Sequence, residues 1–129
     1  MTFVDAVKSV YRKYFTFSGR AARSEFWWYM LFMLLMNIAL AIVFGDNTTV
    51  TGPGYLGVYS RSDLVGDLWN LFNLIPTLAV ASRRLHDTDR SGWWQLLYMV
   101  PLIGAIVLIV WWVARGTPGQ NRFGADPLS

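Results

Sequence analysis

The sequence has no cysteine and few charged residues. The missing thiols exclude disulfide bonds and cysteine-ligated metals. Charged side chains make up 15% of the 129 residues and apolar ones 54%, whereas a typical soluble domain is about 25% charged. A chain of this length forms one compact unit. The composition therefore indicates a single domain over residues 1–129 with more apolar surface than a soluble domain carries.

Two long stretches contain no charge at all. Residues 26–44 read FWWYMLFMLLMNIALAIVF, and residues 93–114 read WWQLLYMVPLIGAIVLIVWWVA. A helix that crosses a membrane needs about 20 predominantly apolar residues. Neither stretch has the polar face that a helix on a small soluble core would show. We therefore predict a transmembrane helix over each.

A third apolar stretch, residues 64–81, is more polar and is predicted to be a span between the other two. Its polar residues are Asp67, Asn70, Asn73 and Thr77. The last three share one side of a helix. In lipid, such a polar stripe should face neighbouring helices, because unpaired polar groups in hydrocarbon are costly. The alternative is a path for water or ions.

Tryptophans mark the expected membrane boundaries. Six of the seven stand in adjacent pairs, and tryptophan prefers the membrane interfaces. The last two pairs are separated by about 28 Å of helix, close to the hydrocarbon thickness of roughly 30 Å. We expect them at opposite ends of the third span. The six interface anchors are Trp27, Trp28, Trp93, Trp94, Trp111 and Trp112.

The distribution of lysine and arginine predicts a cytoplasmic N-terminus. Five precede the first span and three lie in the second loop, but only Arg61 lies in residues 45–63. Cytoplasmic loops carry the excess of positive charge. Three spans would put the tail, residues 115–129, outside. If residues 93–114 dip into the membrane and return, the tail is also cytoplasmic. Both the first loop and the tail are expected to be irregular.

The N-terminal segment, residues 2–15, is predicted to be an amphipathic helix. It opens with the capping pattern T-x-x-D. Apolar residues at helical spacing, from Phe3 to Tyr14, oppose Asp5, Lys8 and Arg12. A basic and aromatic helix beside a membrane span is expected to lie flat in the interface. The alternative is docking against another protein.

The densest polar run is RRLHDTDRSGWW, residues 83–94. His86 with Asp87 and Asp89 is a thin ligand set for a metal, and nearby arginines oppose a cation. Hydrolytic or acid–base catalysis would pair His86 with Asp87 or Asp89, but no nucleophile motif accompanies them. The arginines suit phosphate or lipid head groups. Nucleic-acid binding would require a larger basic face. We expect no metal site and no catalytic residue.

The structural interpretation is an ionic clamp at one membrane surface. Glu25, at the edge of the first span, should pair with an arginine of residues 83–90, because a carboxylate at that depth needs a cationic partner. Asp87 or Asp89 should pair with Arg20 or Arg23. The predicted clamp and lipid-facing set is Arg20, Arg23, Glu25, Arg83, Arg84, His86, Asp87, Asp89 and Arg90.

Three motifs carry a resemblance to a known family. They are F-x-G-R-x-x-R-x-E-F-W (residues 17–27), R-R-L-H-D-T-D-R-S-G-W-W (83–94) and G-T-P-G-x-N-R-F-G-x-D-P (116–127). In this order they closely resemble the small bacterial inner-membrane proteins of the YhaH/YhaI type, domain of unknown function eight-hundred-and-five. The resemblance implies an integral protein of the bacterial inner membrane and implies no reaction. It also draws attention to Asn121, Arg122 and Asp126.

The sequence thus predicts an all-α membrane protein with three transmembrane helices and an N-terminal interfacial helix. We expect a membrane-embedded binding or accessory protein without a cofactor, and no nucleic acid as partner. Its arginine-rich cytoplasmic rim would contact membrane lipids, anionic ones in particular, or a membrane-protein partner or second copy. The alternatives are a small oligomeric channel or transporter lined by the polar stripe and a lipid head-group enzyme that uses His86 and Asp87.

Overall fold

A computed structural model of the protein describes residues 2–44, 46–52, 55–61 and 64–128. The chain divides into two compact units, Met1–Met30 with Ile75–Ser129, and Leu31–Leu74. The elements in chain order are α1 (Phe3–Arg12), α2 (Arg23–Phe44), β1 (Asp46–Gly52), β2 (Tyr55–Arg61), α3 (Leu64–Asp87), a 3-10 helix (Gly92–Met99) and α4 (Ile103–Val113).

Helix α2 is the first predicted span. Its 22 residues give a length of about 33 Å, enough to cross the hydrocarbon of a bilayer. Among the described residues it is the one helix both long enough and apolar enough for a crossing. Its apolar side chains Leu34, Leu35 and Ile38 are exposed. A helix that is apolar and yet not buried by protein is typical of one that lipid surrounds.

The apolar face of helix α1 packs partly against the start of α2. The Thr2 side chain caps it by accepting a hydrogen bond from the Asp5 backbone N–H at 3.2 Å. Val10 is buried, and the Phe3 ring meets Trp28 of α2 edge-on, with ring centroids 5.8 Å apart. Part of this apolar face thus packs against α2, and its placement in the membrane interface stays a prediction.

The segment between the first two predicted spans is not irregular. β1 and β2 pair as an antiparallel hairpin in which Asp46 lies opposite Arg61 and Gly52 opposite Tyr55. The sequence carried the signals for this hairpin. Threonine, valine and tyrosine favour extended backbone, and Pro53–Gly54 is a turn dipeptide. The molecule is otherwise mainly helical.

Helix α3 contains the second predicted span, residues 64–81, and continues to Asp87. It is less apolar than α2, because its first half carries Asp67, Asn70 and Asn73. The last six residues, 82–87, contain much of the polar run singled out in the sequence. They form a buried helical end, with Arg83, Arg84 and Asp87 each less than 4% exposed.

The third predicted span is not one continuous helix. Residues 92–99 form a 3-10 helix, and α4 begins again at Ile103. Pro101 has no N–H with which to continue a helix, and Leu102 has a positive φ of 66°. The eleven residues of α4 cover about 16 Å, roughly half of the hydrocarbon thickness.

The same break corrects the placement of the tryptophan anchors. Trp94 and Trp111 are in edge-on contact, with ring centroids 5.6 Å apart, and are not at opposite membrane surfaces. A Cβ atom on Gly104 would overlap the carbonyl oxygen of Leu97, so the two arms pack backbone against backbone. Residues 92–114 therefore form a hairpin, hereafter the 92–114 hairpin, whose two ends lie together.

Candidate functional site

Five charged side chains form a buried group within residues 1–30 and 75–129, hereafter the polar cluster. Its members come from the start of α2, the segment before it and the last turns of α3. Each is at most 7% exposed. Charges so deeply buried require close partners, because desolvation of an unpaired ion costs several kcal/mol. The polar cluster consists of Arg20, Glu25, Arg83, Arg84 and Asp87.

Glu25 and Arg83 form one ion pair of the polar cluster. The Arg83 Nη1 atom lies 2.8 Å from Glu25 Oε1. The same oxygen accepts a hydrogen bond from the Ser9 hydroxyl at 2.9 Å, and Arg83 Nε donates to the Thr16 carbonyl at 3.2 Å. The pair therefore ties the start of α2 to α1 and to the end of α3. Ser9 was not singled out from the sequence.

Asp87 is held between two arginines. Its Oδ1 atom lies 2.9 Å from Arg20 Nη2, and its Oδ2 atom lies 2.5 Å from Arg84 Nη1. Burial is the largest influence on Arg84 and lowers its pKa, while the charge of Asp87 acts in the opposite direction. With both carboxylate oxygens engaged, Asp87 is unsuited to accept a proton in catalysis.

Backbone carbonyls at the end of α4 are further partners of Arg84 and Arg23. Arg84 donates through Nε to the Trp112 carbonyl at 2.9 Å and through Nη2 to the Ala114 carbonyl. Arg23 Nη1 approaches the Val113 carbonyl at 3.4 Å. The carbonyl end of a helix carries partial negative charge, so the arginines stabilise the C-terminus of α4 while it satisfies their donors.

The C-terminal tail packs onto the polar cluster. Arg20 donates to the carbonyls of Thr117 and, at 2.5 Å, Gly119. The Thr117 backbone N–H donates to the Asp87 carbonyl at 2.6 Å. Gly116 is packed so closely that a Cβ atom there would overlap the Asp87 carboxylate. Residues 116–124 therefore lie at the same end of the molecule as residues 83–90.

His86 lies between the N-terminal segment and the tail. Its Nδ1 atom lies 2.8 Å from the Gly19 carbonyl, which can only accept, so Nδ1 carries the proton. The ring stacks on Phe123 at a centroid distance of 4.0 Å. Burial, and then the charges of Arg122 and Arg83, lower the pKa of His86, although the bond to Gly19 raises it. No described carboxylate hydrogen-bonds to this ring, so the catalytic pair expected as an alternative does not form.

Asp89 and Arg90, also members of the predicted clamp, are less buried than the polar cluster: Asp89 is exposed and Arg90 is partly buried. Asp89 pairs with Arg122 at 3.2 Å, and both side chains are about half exposed or more, at 48% and 62%. The Arg90 guanidinium lies over the Trp111 ring, 4.5 Å from its centroid. Arg20, Arg83 and Arg84 are buried against protein groups, so the expected contact with lipid head groups is corrected for these three.

The polar stripe of α3 bonds locally. The Asn70 and Asn73 amides donate to carbonyls one turn back in the same helix, at Gly66 (3.0 Å) and Trp69 (2.8 Å). The Thr77 hydroxyl lies 3.0 Å from the Tyr29 hydroxyl. Asp67 is exposed on the first turn of the helix. These contacts resemble helix-stabilising contacts more than the wall of an ion path.

An apolar cavity of about 490 Å³ lies beside the polar cluster. Leu78, Trp93 and Leu96 line it, together with Ser82 and His86. The Gln95 amide, which also lines the cavity, donates to the Ser82 hydroxyl at 2.6 Å, so these two polar groups of the wall are paired with each other. His86 thus connects the packing of the tail to the wall of this cavity.

The sequence did not predict most of the contacts that the tail makes with the polar cluster. The tail's contribution is made by backbone carbonyls, which carry no residue-specific signal. The available signal was the glycine spacing of residues 116–124, since Gly119 and Gly124 have positive φ angles of 73° and 130° that other residues rarely adopt.

Comparisons with known proteins agree with the motifs. Residues 14–125 match the family described as "Protein of unknown function (DUF805)". Inner membrane protein YhaH of Escherichia coli (strain K12) is 39% identical over 124 residues, covering 96% of this chain and 97% of the relative. Inner membrane protein YhaI of the same strain is 40% identical over 119 residues, 92% of each.

A more distant relative is the Escherichia coli (strain K12) protein named "Uncharacterized protein YiiR". It is 32% identical over 143 aligned positions, covering 87% of this chain and 86% of the relative. No solved structure matches the chain. With three ordered motifs and a family match over most of its length, the chain belongs to the DUF805 family.

Proposed function

We propose that the chain is an integral inner-membrane protein that binds anionic lipid at one membrane surface. Its relatives YhaH and YhaI are named inner membrane proteins, and α2 combines the length of a membrane crossing with unburied apolar side chains. The activity is one of binding and support, because the charged side chains that could do acid–base chemistry are engaged with one another.

The observation that carries this proposal is the division of the basic residues into two sets. Arg20, Arg83 and Arg84 are buried and each forms an ion pair inside the protein, and Arg83 Nη2 has no hydrogen-bond partner among the described residues. In the described part of residues 1–30 and 75–129, the exposed cations outnumber the exposed carboxylates, Asp5 and Asp89, by six to two. Exposed cations next to a membrane attract anionic head groups. The exposed cations are Lys8, Arg12, Lys13, Arg23, Arg115 and Arg122.

The proposed topology has two crossings, α2 and α3, and a 92–114 hairpin that enters the membrane and returns. Contact of the tail with residues 83–90 supports this arrangement. It gathers ten of the eleven lysines and arginines on the cytoplasmic side and leaves Arg61 outside, as the positive-inside rule favours.

A reporter fused to the C-terminus tests the topology. One that is active only in the cytoplasm should be active, and one that is active only outside should be silent. The opposite pattern would contradict the two-crossing arrangement and restore three complete spans.

Native mass spectrometry in detergent tests the lipid preference. Phosphatidylglycerol and phosphatidylcholine with the same acyl chains are offered together. Each exposed cation near anionic lipid contributes about 1 kcal/mol, or roughly fivefold in affinity. Arg12→Gln should therefore reduce phosphatidylglycerol retention about fivefold, and Lys8→Gln combined with it should reduce retention further.

The control removes the same charge from the segment between the two crossings. Arg61→Gln should leave phosphatidylglycerol retention unchanged. If Arg61→Gln and Arg12→Gln reduce retention equally, net charge and not a basic membrane-facing surface governs lipid binding, and the proposal is wrong.

A further inference from the structure

A second, polar cavity lies where the end of α1, the start of α2 and the tail meet. It measures about 420 Å³ and is lined by Lys13, Arg20, Glu25 and Asp126, among others. Cavities of roughly 300–1,000 Å³ are the usual size of small-ligand sites. Two positive and two negative side chains line it, so its wall balances to near neutrality while presenting both signs.

One wall group is a buried carboxylate with an open acceptor. The Glu25 side chain is 4% exposed, and Oε1 takes the hydrogen bonds from Ser9 and Arg83. Oε2 accepts no hydrogen bond from any residue in the described part of the chain. Oε2 is not among the buried side-chain atoms that lack a partner in the described part of the chain, so it keeps some exposure and is open to a donor from a ligand that enters the cavity.

The opposite sign is also available in the cavity. The Lys13 side chain is exposed and forms no ion pair among the described residues. Arg20 adds positive potential, although its N–H groups are taken by Asp87 and the tail carbonyls. Backbone hydrogen bonds from Leu128 and Gly119 lower the pKa of Asp126, which keeps that carboxylate charged.

We propose that this cavity binds a phosphoethanolamine head group, with its primary ammonium on Glu25 Oε2 and its phosphate on Lys13. A purely anionic ligand would meet Glu25 and Asp126, and a purely cationic one would meet Lys13 and Arg20. None of the nine described residues lining the cavity is aromatic, so it lacks the aromatic cage that holds quaternary ammonium groups. A choline head group, which cannot donate hydrogen bonds, therefore binds poorly.

This inference rests on the proposed placement of the exposed cations at the membrane interface, but the two proposals are tested separately. Phosphatidylethanolamine and phosphatidylcholine carry the same net charge, so the exposed cations of the lipid-binding proposal do not distinguish them. In native mass spectrometry of the full chain with matched acyl chains, phosphatidylethanolamine should be retained about tenfold more than phosphatidylcholine, as expected for a hydrogen bond to a charged acceptor.

Variants that spare the Glu25–Arg83 pair keep the test independent of folding. Lys13→Gln removes the phosphate partner and Ala125→Trp fills the cavity, so both should lower phosphatidylethanolamine retention to the level of phosphatidylcholine. Gln120→Trp adds the same bulk to an exposed tail position and should retain the preference. Arg12→Gln should weaken phosphatidylglycerol binding without changing the ratio of the two zwitterionic lipids.

A competition experiment with soluble head groups distinguishes binding of the whole lipid from binding of the free head group. Displacement of phosphatidylethanolamine by soluble phosphoethanolamine, but not by phosphocholine, would identify the head group alone as sufficient. Retention of the lipid against both competitors, with the preference over phosphatidylcholine kept, would identify the lipid as the ligand. Equal retention of phosphatidylethanolamine and phosphatidylcholine, or a preference that survives Ala125→Trp, would overturn the inference.

Discussion

The buried Glu25–Arg83 pair should show strong energetic coupling. At the N–O distance of 2.8 Å, an effective dielectric constant of about 20 gives an attraction of about 6 kcal/mol before desolvation. Removing one partner from a buried pair leaves an unpaired charge and typically costs about 3–5 kcal/mol. We expect Glu25→Gln and Arg83→Gln each to lower the free energy of unfolding by about 3 kcal/mol.

The double variant distinguishes loss of the Glu25–Arg83 interaction from a general loss of stability caused by each substitution. With both charges gone, no unpaired ion remains, so the double variant should be no less stable than either single one. The coupling energy from the double-mutant cycle should therefore be about 3 kcal/mol. The measurement is loss of helical circular dichroism in detergent micelles titrated with a denaturing detergent.

A matched exposed pair supplies the control. Asp89 and Arg122 are 3.2 Å apart but largely exposed, so solvent screening limits their coupling to about 1 kcal/mol or less. Asp89→Asn, Arg122→Gln and the double variant complete that cycle. If the Glu25 and Arg83 losses simply add, or if both cycles give the same coupling, burial does not strengthen the ion pair as argued here.

Three further predictions concern packing and pH. Gly104→Ala should lower the free energy of unfolding by about 3 kcal/mol, because its Cβ atom overlaps the Leu97 carbonyl; an unchanged thermal midpoint would contradict the close packing of the 92–114 hairpin. Gly116→Ala should cost about 2 kcal/mol by pressing on the Asp87 carboxylate, seen as faster proteolysis of the tail. Folding lowers the pKa of His86 below 6.5. The free energy of unfolding should therefore be highest above pH 6.5 and fall as the pH drops through the folded-state pKa. His86→Gln should flatten this decline when unfolding is titrated at several pH values.

Helix α2 could be predicted from its sequence because an uncharged run of that length has few alternatives. Glu25 and Asp87 could be expected to meet arginines, since buried carboxylates need cations. Which arginine each one meets depended on tertiary geometry. Sequence gave no basis for choosing Arg83 for Glu25, or for placing two arginines on Asp87.

The break at Pro101 could not be predicted from the apolar content of residues 93–114. Residues 93–114 satisfy the length and hydropathy of a span, but a 3-10 helix over residues 92–99 and the positive φ of Leu102 interrupt it. Proline is tolerated in many membrane helices, so its presence alone does not decide between a kink and a turn. The donors that α4 requires at its C-terminus come from Arg84, far away in sequence.

The carbonyl partners of Arg20 have a consequence for biosynthesis. Thr117, Gly119 and Gly124 emerge from the ribosome after all the helices described above have been made. Until those residues have been made, the Arg20 guanidinium lacks most of its hydrogen-bond acceptors. These contacts can therefore form only once residues 117–124 have been made, and a nascent chain stopped at residue 114 would leave the Arg20 guanidinium without these carbonyl acceptors and open to quality-control proteases.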